Sequence, residues 1–251
     1  NKLLDSRTMW KIAWIERLLC IVIIAFIALT ACTPHKQKME QSEMQAFEAF
    51  FDADGDSVSI TPRKVRTQAL QKMQEAKDSL VRYNYLAVAS KTCLMSSDID
   101  SARLLTRQIE DFTMKQPFSA QLADLKSECY NMKGNVYART GYMDSAEVYF
   151  RKAYEQRMQG TKIEVVPDIL MNLADASNRL GKLDAGAAWY RRALILCDSL
   201  DIVSTKKPPI YYGLAQIYVA LRDFDQCDYY YNLAAGSYES MLPFEKHFYL
   251  N

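Results

Sequence analysis

Small, aromatic and aliphatic residues recur with a fixed spacing between residues 131 and 196. Gly134 and Gly141 mark one stretch whose apolar positions lie three and four residues apart, and Ala174 and Gly181 mark a second. When Gly141 is aligned with Gly181, the two copies fall into register with an offset of 40 residues. This spacing is typical of amphipathic helices. A repeat of this length that carries two helices indicates a unit that stacks on its neighbours.

Weaker copies of the same pattern lie on both sides of the two central ones. Ser97 stands in the place of Gly141 in the preceding copy, and Arg222 stands in the place of Gly181 in the following copy. Prolines that fit a first helical turn open several of the segments. The pattern therefore predicts an all-α solenoid of antiparallel helix pairs over residues 62–251, with units at about 83–115, 119–158, 167–200 and 208–241 and a truncated unit from 243.

The sizes of the repeated residues suit the packing of such pairs. Two helices can cross closely only where the side chains are small, whereas large side chains fill the space between successive pairs. The predicted crossing positions are Gly134, Ala174 and Ala215 on the first helices and Ala146, Gly186 and Cys227 on the second. The predicted large core residues are Tyr137, Phe150, Tyr190, Tyr218 and Tyr231.

These units resemble tetratricopeptide repeats with longer helices, and the resemblance covers about two-thirds of the chain, from Tyr83 to the end. Lys133 and Ser177 depart from the family pattern, which has an apolar and an aromatic residue there. The resemblance implies a right-handed superhelix whose first helices line a concave groove that holds a protein or peptide. The groove residues implied are Asn131, Asn135, Arg139, Met171, Asp175, Asn178, Arg179, Tyr212 and Gln216. Their amides and arginines suit a peptide backbone or a carboxylate.

The first part of the chain carries a different signal. From Met9, the expected start, two basic residues precede an apolar stretch over 18–31 that is short for a membrane span. The last residues of this stretch resemble the bacterial lipobox, which implies cleavage before Cys32 and lipid anchoring in the cell envelope, facing the periplasm, at either membrane. An uncleaved signal-anchor helix is the alternative. We expect a signal peptide over 1–31 and a tether with a short helix over 32–61.

Composition and isolated motifs point away from catalysis. The net charge of +1 gives no excess of basic residues for nucleic acid. The two histidines, His35 and His247, belong to no catalytic or metal-binding motif. The acidic stretch over 52–57 lacks the glycine and glutamate spacing of a calcium loop. The sequence therefore predicts no enzyme activity, no cofactor, no metal and no nucleic acid partner.

Cysteines and tyrosines in the repeats leave two further alternatives. The thiols Cys93, Cys129, Cys197 and Cys227 form no CxxC pair, and we expect them to pack as small apolar residues. A disulfide between Cys197 and Cys227 is the alternative in an oxidising compartment. The run of tyrosines over 229–231 could stack on a sugar, but three consecutive helical residues point in different directions, and we expect a structural role with Tyr231 in the core.

Three hypotheses about function follow from this reading. The leading hypothesis is a non-enzymatic, lipid-anchored scaffold of the cell envelope that binds a protein or peptide in its groove. The second is the periplasmic sensor half of a larger membrane regulator that continues after Asn251. The third is a glycan-binding outer-membrane lipoprotein.

Overall fold

The computed structural model describes residues 38–51, 61–201 and 206–237. The predicted signal peptide, Cys32, the acidic stretch over 52–57 and the truncated unit from 243 lie outside the described residues. The contacts divide the chain into one compact region that ends at Ala49 and a second that begins at Phe50. In the described ranges, no helix combines the length and hydropathy needed to cross a membrane.

Helices make up the regular structure of the described residues. A helix over residues 38–51, α1, comes first. The following helices are α2 Pro62–Glu75, α3 Ser79–Met95, α4 Ile99–Thr113, α5 Ala120–Arg139, α6 Met143–Arg157, α7 Val166–Arg179, α8 Leu183–Ser199, α9 Lys207–Ala220 and α10 Phe224–Ser237. Helix α2 packs on α3, and four pairs follow: α3–α4 (unit I), α5–α6 (unit II), α7–α8 (unit III) and α9–α10 (unit IV). The predicted all-α array of helix pairs is confirmed.

Local chemistry explains where the helices begin. The side chains of Asp78, Asp98 and Ser119 each accept a hydrogen bond from a backbone N–H in the first turn of α3, α4 and α5. These bonds satisfy donors that the helix itself leaves unpaired. Helices α2, α7 and α9 carry a proline at one of their first two positions, where its missing N–H would go unused.

The four units share one turn between their two helices. Ser97, Gly141, Gly181 and Arg222 all have positive φ, of 59°, 87°, 72° and 59°. In each turn the next residue donates its backbone N–H to a carbonyl five residues earlier, as from Tyr142 to Tyr137 at 2.9 Å. This bond closes a helix whose last carbonyls would otherwise lack donors. The register that places Ser97 and Arg222 opposite the two glycines is therefore correct.

Close approaches confirm the role of the small residues. The ring of Phe150 lies against Gly134, and a Cβ at Gly134 would overlap it. A Cβ at Gly186 would come within 3.2 Å of the carbonyl oxygen of Ala174. Gly213, which the sequence pattern did not single out, accommodates the ring of Tyr190 from the unit before it. Tight contacts therefore occur both within a unit and between units.

The prediction that Tyr231 lies in the core is wrong for the described structure, in which 56% of its surface is exposed. Tyr190, its equivalent in unit III, is covered by the first helix of unit IV. The predicted truncated unit from 243, which would cover Tyr231 in the same way, lies outside the described residues. Its neighbour Tyr230 packs instead, stacking on Tyr218 with centroids 5.6 Å apart.

The described cysteines are free thiols, in agreement with the preferred prediction. Cys93, Cys129 and Cys197 are buried, whereas Cys227 is half-buried. Burial raises the pKa of Cys129 to about 12, so this thiol stays protonated at neutral pH.

Candidate functional site

Residues of the first helices of units II and III, α5 and α7, line a small cavity together with residues of α6. We call it the groove cavity; its volume is about 190 Å³. Four of the nine predicted groove residues line it: Asn135, Arg139, Asp175 and Arg179. Asn172, Ala138, Met143, Phe150 and Ala176 complete its lining. The structure therefore brings together predicted residues from two units that lie about one repeat apart in sequence.

Amide groups join α5 to α7 beside this cavity. Asn172 donates a hydrogen bond from Nδ2 to Oδ1 of Asn131 at 2.9 Å. Asn135 donates to the backbone carbonyl of Asn131 at 3.0 Å. Sequence reasoning missed Asn172. The repeat register contained a signal for this residue, because Asn172 occupies the position of Met132, where unit II has a buried apolar side chain.

The two arginines of the cavity have different environments. Arg139 donates from Nη1 to the carbonyl oxygen of Leu94 at 2.7 Å, near the C-terminal end of α3. That end carries partial negative charge and favours a cation. Arg179, at the equivalent position one unit later, is exposed and donates no hydrogen bond within the described ranges. Arg139 is therefore partly used to join units I and II, whereas Arg179 is available to a ligand.

Asp175 is the acidic group of the cavity. It accepts a hydrogen bond from the hydroxyl of Tyr190 on α8. Protein atoms crowd the carboxyl group although the residue keeps exposed surface, and this burial raises its pKa above the usual value. The bond from Tyr190 and the charge of Arg179 act in the opposite direction but do not cancel the effect.

The other predicted residues lie outside the groove cavity. Met171 packs against the core of units III and IV, and Asn178 is half-buried near the end of α7. Tyr212 is half-buried and Gln216 is exposed on α9, at the register positions of Met171 and Asp175. These two residues continue the same helix face into unit IV.

The size and charge of the cavity limit what it can hold. Pockets for small ligands usually have volumes of about 300–1,000 Å³, so a cavity of about 190 Å³ has room for one side chain or one chain end. Two guanidinium groups, one carboxylate and two amides line it, which leaves a net positive charge. In the residues that the structure describes, no cluster of three or more potential metal ligands occurs.

Comparisons with known proteins agree with this architecture. Residues 127–157 and 208–240 match the tetratricopeptide repeat family. A search of curated proteins finds no match. Among solved structures, the crystal structure of BtubC (BKLC) from P. vanneervenii is similar with a TM-score of 0.55 and 18% identity, over 81% of this chain and 75% of that chain. At that identity the likeness shows the fold alone. The matched segments and the four stacked pairs show that the array has a fold similar to that of tetratricopeptide repeats.

Proposed function

We propose that the chain is a non-enzymatic interaction scaffold whose groove, formed by α5, α7 and α9, binds a segment of a partner protein. Tetratricopeptide repeats generally mediate binding between proteins, and the family matches two segments here. The observation that carries the proposal is the groove cavity, in which an available arginine, Arg179, lies beside the half-buried amides of Asn135 and Asn172.

In this proposal Arg179 binds a carboxylate of the partner. A guanidinium group can donate two parallel hydrogen bonds to a carboxylate, which fixes the orientation of the bound segment. Asn135 and Asn172 supply amide groups for the partner's backbone, because each still has an unused acceptor oxygen beside the cavity. Gln216 extends the contact along α9.

Photo-crosslinking tests the position of the partner. Benzoylphenylalanine at the exposed Gln216 should crosslink a partner protein, and the same group at the exposed Glu155 on α6 should not. Arg179→Ala should abolish the crosslink, whereas Arg63→Ala, an equal charge change on α2, should preserve it. Equal crosslinking from positions 216 and 155 would contradict binding in the groove. Equal crosslinking from position 216 with and without Arg179→Ala would contradict it as well.

We further propose that the chain is lipid-anchored through Cys32 in the cell envelope, facing the periplasm. This proposal rests on the apolar stretch over 18–31 and on the lipobox-like residues at its end, directly before Cys32. Labelling with radioactive palmitate tests it. Wild-type protein should take up label and sediment with membranes, and Cys32→Ser should do neither; equal labelling of both proteins would overturn the anchor.

A further inference from the structure

Arginines at one register position on the second helices join successive units. Arg107, Arg151 and Arg191 occupy this position in units I, II and III. The guanidinium group of Arg151 lies 5.4 Å from the ring centre of Trp189, in the next unit. Arg191 donates from Nη1 to the hydroxyl of Tyr218, also in the next unit, at 2.9 Å. Two of the three arginines are therefore used for contacts between units.

Arg107 departs from this arrangement. It is exposed and makes no hydrogen bond, ion pair or ring contact with any described residue. Where its contact with unit II would be, a cavity of about 330 Å³ opens between α4 and α5. We call it the Arg107 cleft; the residues that matter here are Arg103, Arg107, Glu110, Lys133, Tyr137 and Tyr142.

The charged groups of the Arg107 cleft leave Arg107 without an ion-pair partner among the described residues. Lys133 donates to both carboxylate oxygens of Glu110 at 2.8 Å, so these two groups neutralise each other. Among the described residues, Arg103 forms an ion pair only with Asp100, at 3.9 Å, and the Asp100 side chain is 98% exposed. Asp111 is the remaining acidic group of the lining. The cleft therefore carries net positive charge, and units II and III have no cation in the place of Arg103.

Two tyrosine rings line the Arg107 cleft beside these charges, and an exposed leucine lies on α4 outside the lining. The rings of Tyr137 and Tyr142 meet edge to face with centroids 6.4 Å apart. Tyr142 is 66% exposed and Leu104, beside Arg103 on α4, is 59% exposed. Exposed apolar groups next to an arginine that has no ion-pair partner are a common composition of sites that bind partner proteins.

The Arg107 cleft is separate from the groove cavity. An α-helix turns by about 100° per residue, so positions 133 and 137 face away from positions 131 and 135 on α5. The two sites share no lining residue. A ligand in one site therefore leaves the other site accessible.

We propose that the Arg107 cleft binds acidic side chains in a segment of a partner protein, independently of the groove. Arg103 and Arg107 are one helical turn apart, which places their Cβ atoms about 5–6 Å apart and suits two carboxylates of one segment. Each guanidinium group can donate two hydrogen bonds to a carboxylate. Tyr142 contacts an apolar side chain of the same segment.

Short synthetic peptides test this proposal with the full chain. The peptides of the first set are acetylated at the N-terminus and amidated at the C-terminus. Each contains two Glu or two Asp residues beside one Leu or Tyr, and the set varies the number of residues between the two acids. A matched set has Gln and Asn in place of the acids, and a third set without acidic side chains has a free terminal carboxylate. Fluorescence anisotropy then gives the Kd of the tightest peptide for the wild type, Arg103→Gln/Arg107→Gln and Arg179→Gln.

We expect acidic peptides, but neither other set, to bind the wild type. The double variant should raise the Kd at least about tenfold, because a hydrogen bond to a charged group contributes about that factor or more. Arg179→Gln should leave the Kd unchanged. Arg107→Gln should have the same Tm as the wild type. Arg151→Gln, which loses a contact between units, should have a lower Tm.

Four results would overturn the proposal. The first is an array in which no acidic peptide binds more tightly than its Gln and Asn counterpart. The second is an unchanged Kd for the double variant. The third is a loss of binding in Arg179→Gln, which would assign the peptide to the groove and support the proposed function instead. Tightest binding by the free-carboxylate set would show recognition of a chain end and reject the acidic segment.

Discussion

Asp124→Ala is the most informative test of the fold, because Asp124 holds together unit II and the turn that leads to unit III. Its Oδ1 accepts from Nη1 of Arg157 at 2.9 Å. Its Oδ2 accepts from the backbone N–H and the hydroxyl of Thr161 at 2.9 and 2.6 Å. Gly160 passes so close that a Cβ there would overlap the carboxylate. One side chain of α5 thus fixes the end of α6 and the following turn.

The size of the effect follows from burial. Arg157 is 3% exposed, so removing its partner leaves a charge that water cannot reach. Breaking a buried ion pair costs about 3–5 kcal/mol. Glu128 remains 3.5 Å from Nη2 of Arg157, and Thr161 is exposed and can bond to water. We therefore expect a loss at the lower end, about 3 kcal/mol. In a chain of this size this corresponds to about 6–12 °C in Tm.

Urea unfolding followed by circular dichroism measures the loss, and hydrogen exchange locates it in α5 and α6. Asp124→Asn keeps the shape and one acceptor oxygen, so it should lose less than Asp124→Ala. The matched control is Lys182→Gln, which removes the partner of Glu147 where the lysine side chain is 49% exposed. That change should cost about 0–1 kcal/mol. Equal small losses for Asp124→Ala and Lys182→Gln would refute the reasoning.

Three substitutions and one labelling experiment test other parts of the structure. Gly134→Leu should lower Tm strongly because its side chain overlaps a buried ring; an unchanged Tm would contradict the close crossing. Arg222→Gly should stabilise the chain by about 0.5–1 kcal/mol, since φ is 59° and glycine adopts it without strain; a destabilised variant would reject this account of the turn. The raised pKa of Asp175 means that the folded state binds the proton more tightly, so this group favours folding below its ordinary pKa of about 4 and loses that contribution as pH rises through the raised value. Asp175→Asn should thus gain stability relative to the wild type between pH 4 and pH 7, and a constant difference would argue against it. In native protein, mass spectrometry should find maleimide on Cys227 before Cys129, which is buried and has a pKa of about 12; equal rates would contradict the packing.

Much of the fold could be read from local pattern. The turn glycines, the prolines at helix starts and the apolar spacing each depend on residues close in sequence, and the structure places turns and helices where they indicate. The departure at Lys133 could not be understood in this way. Its ammonium group pairs with Glu110 on α4 and lies 4.4 Å from the ring centre of Tyr149 on α6, so its role depends on three helices.

The candidate site was predictable only in part for the same reason. Register alone places Asn135, Arg139, Asp175 and Arg179 on one face, and the structure brings these four to one cavity. Register does not show that Arg139 bonds to the end of α3 while Arg179 stays available.

The sequence by itself determined the all-helical array, its turns and its small-residue crossings, because those features follow from periodicity and from backbone preferences of single residues. Only the tertiary structure decided which polar groups are satisfied by the protein and which are available to a ligand. Arg107, Arg151 and Arg191 share one register position, and only their neighbours in other units distinguish the available arginine from the two that join units.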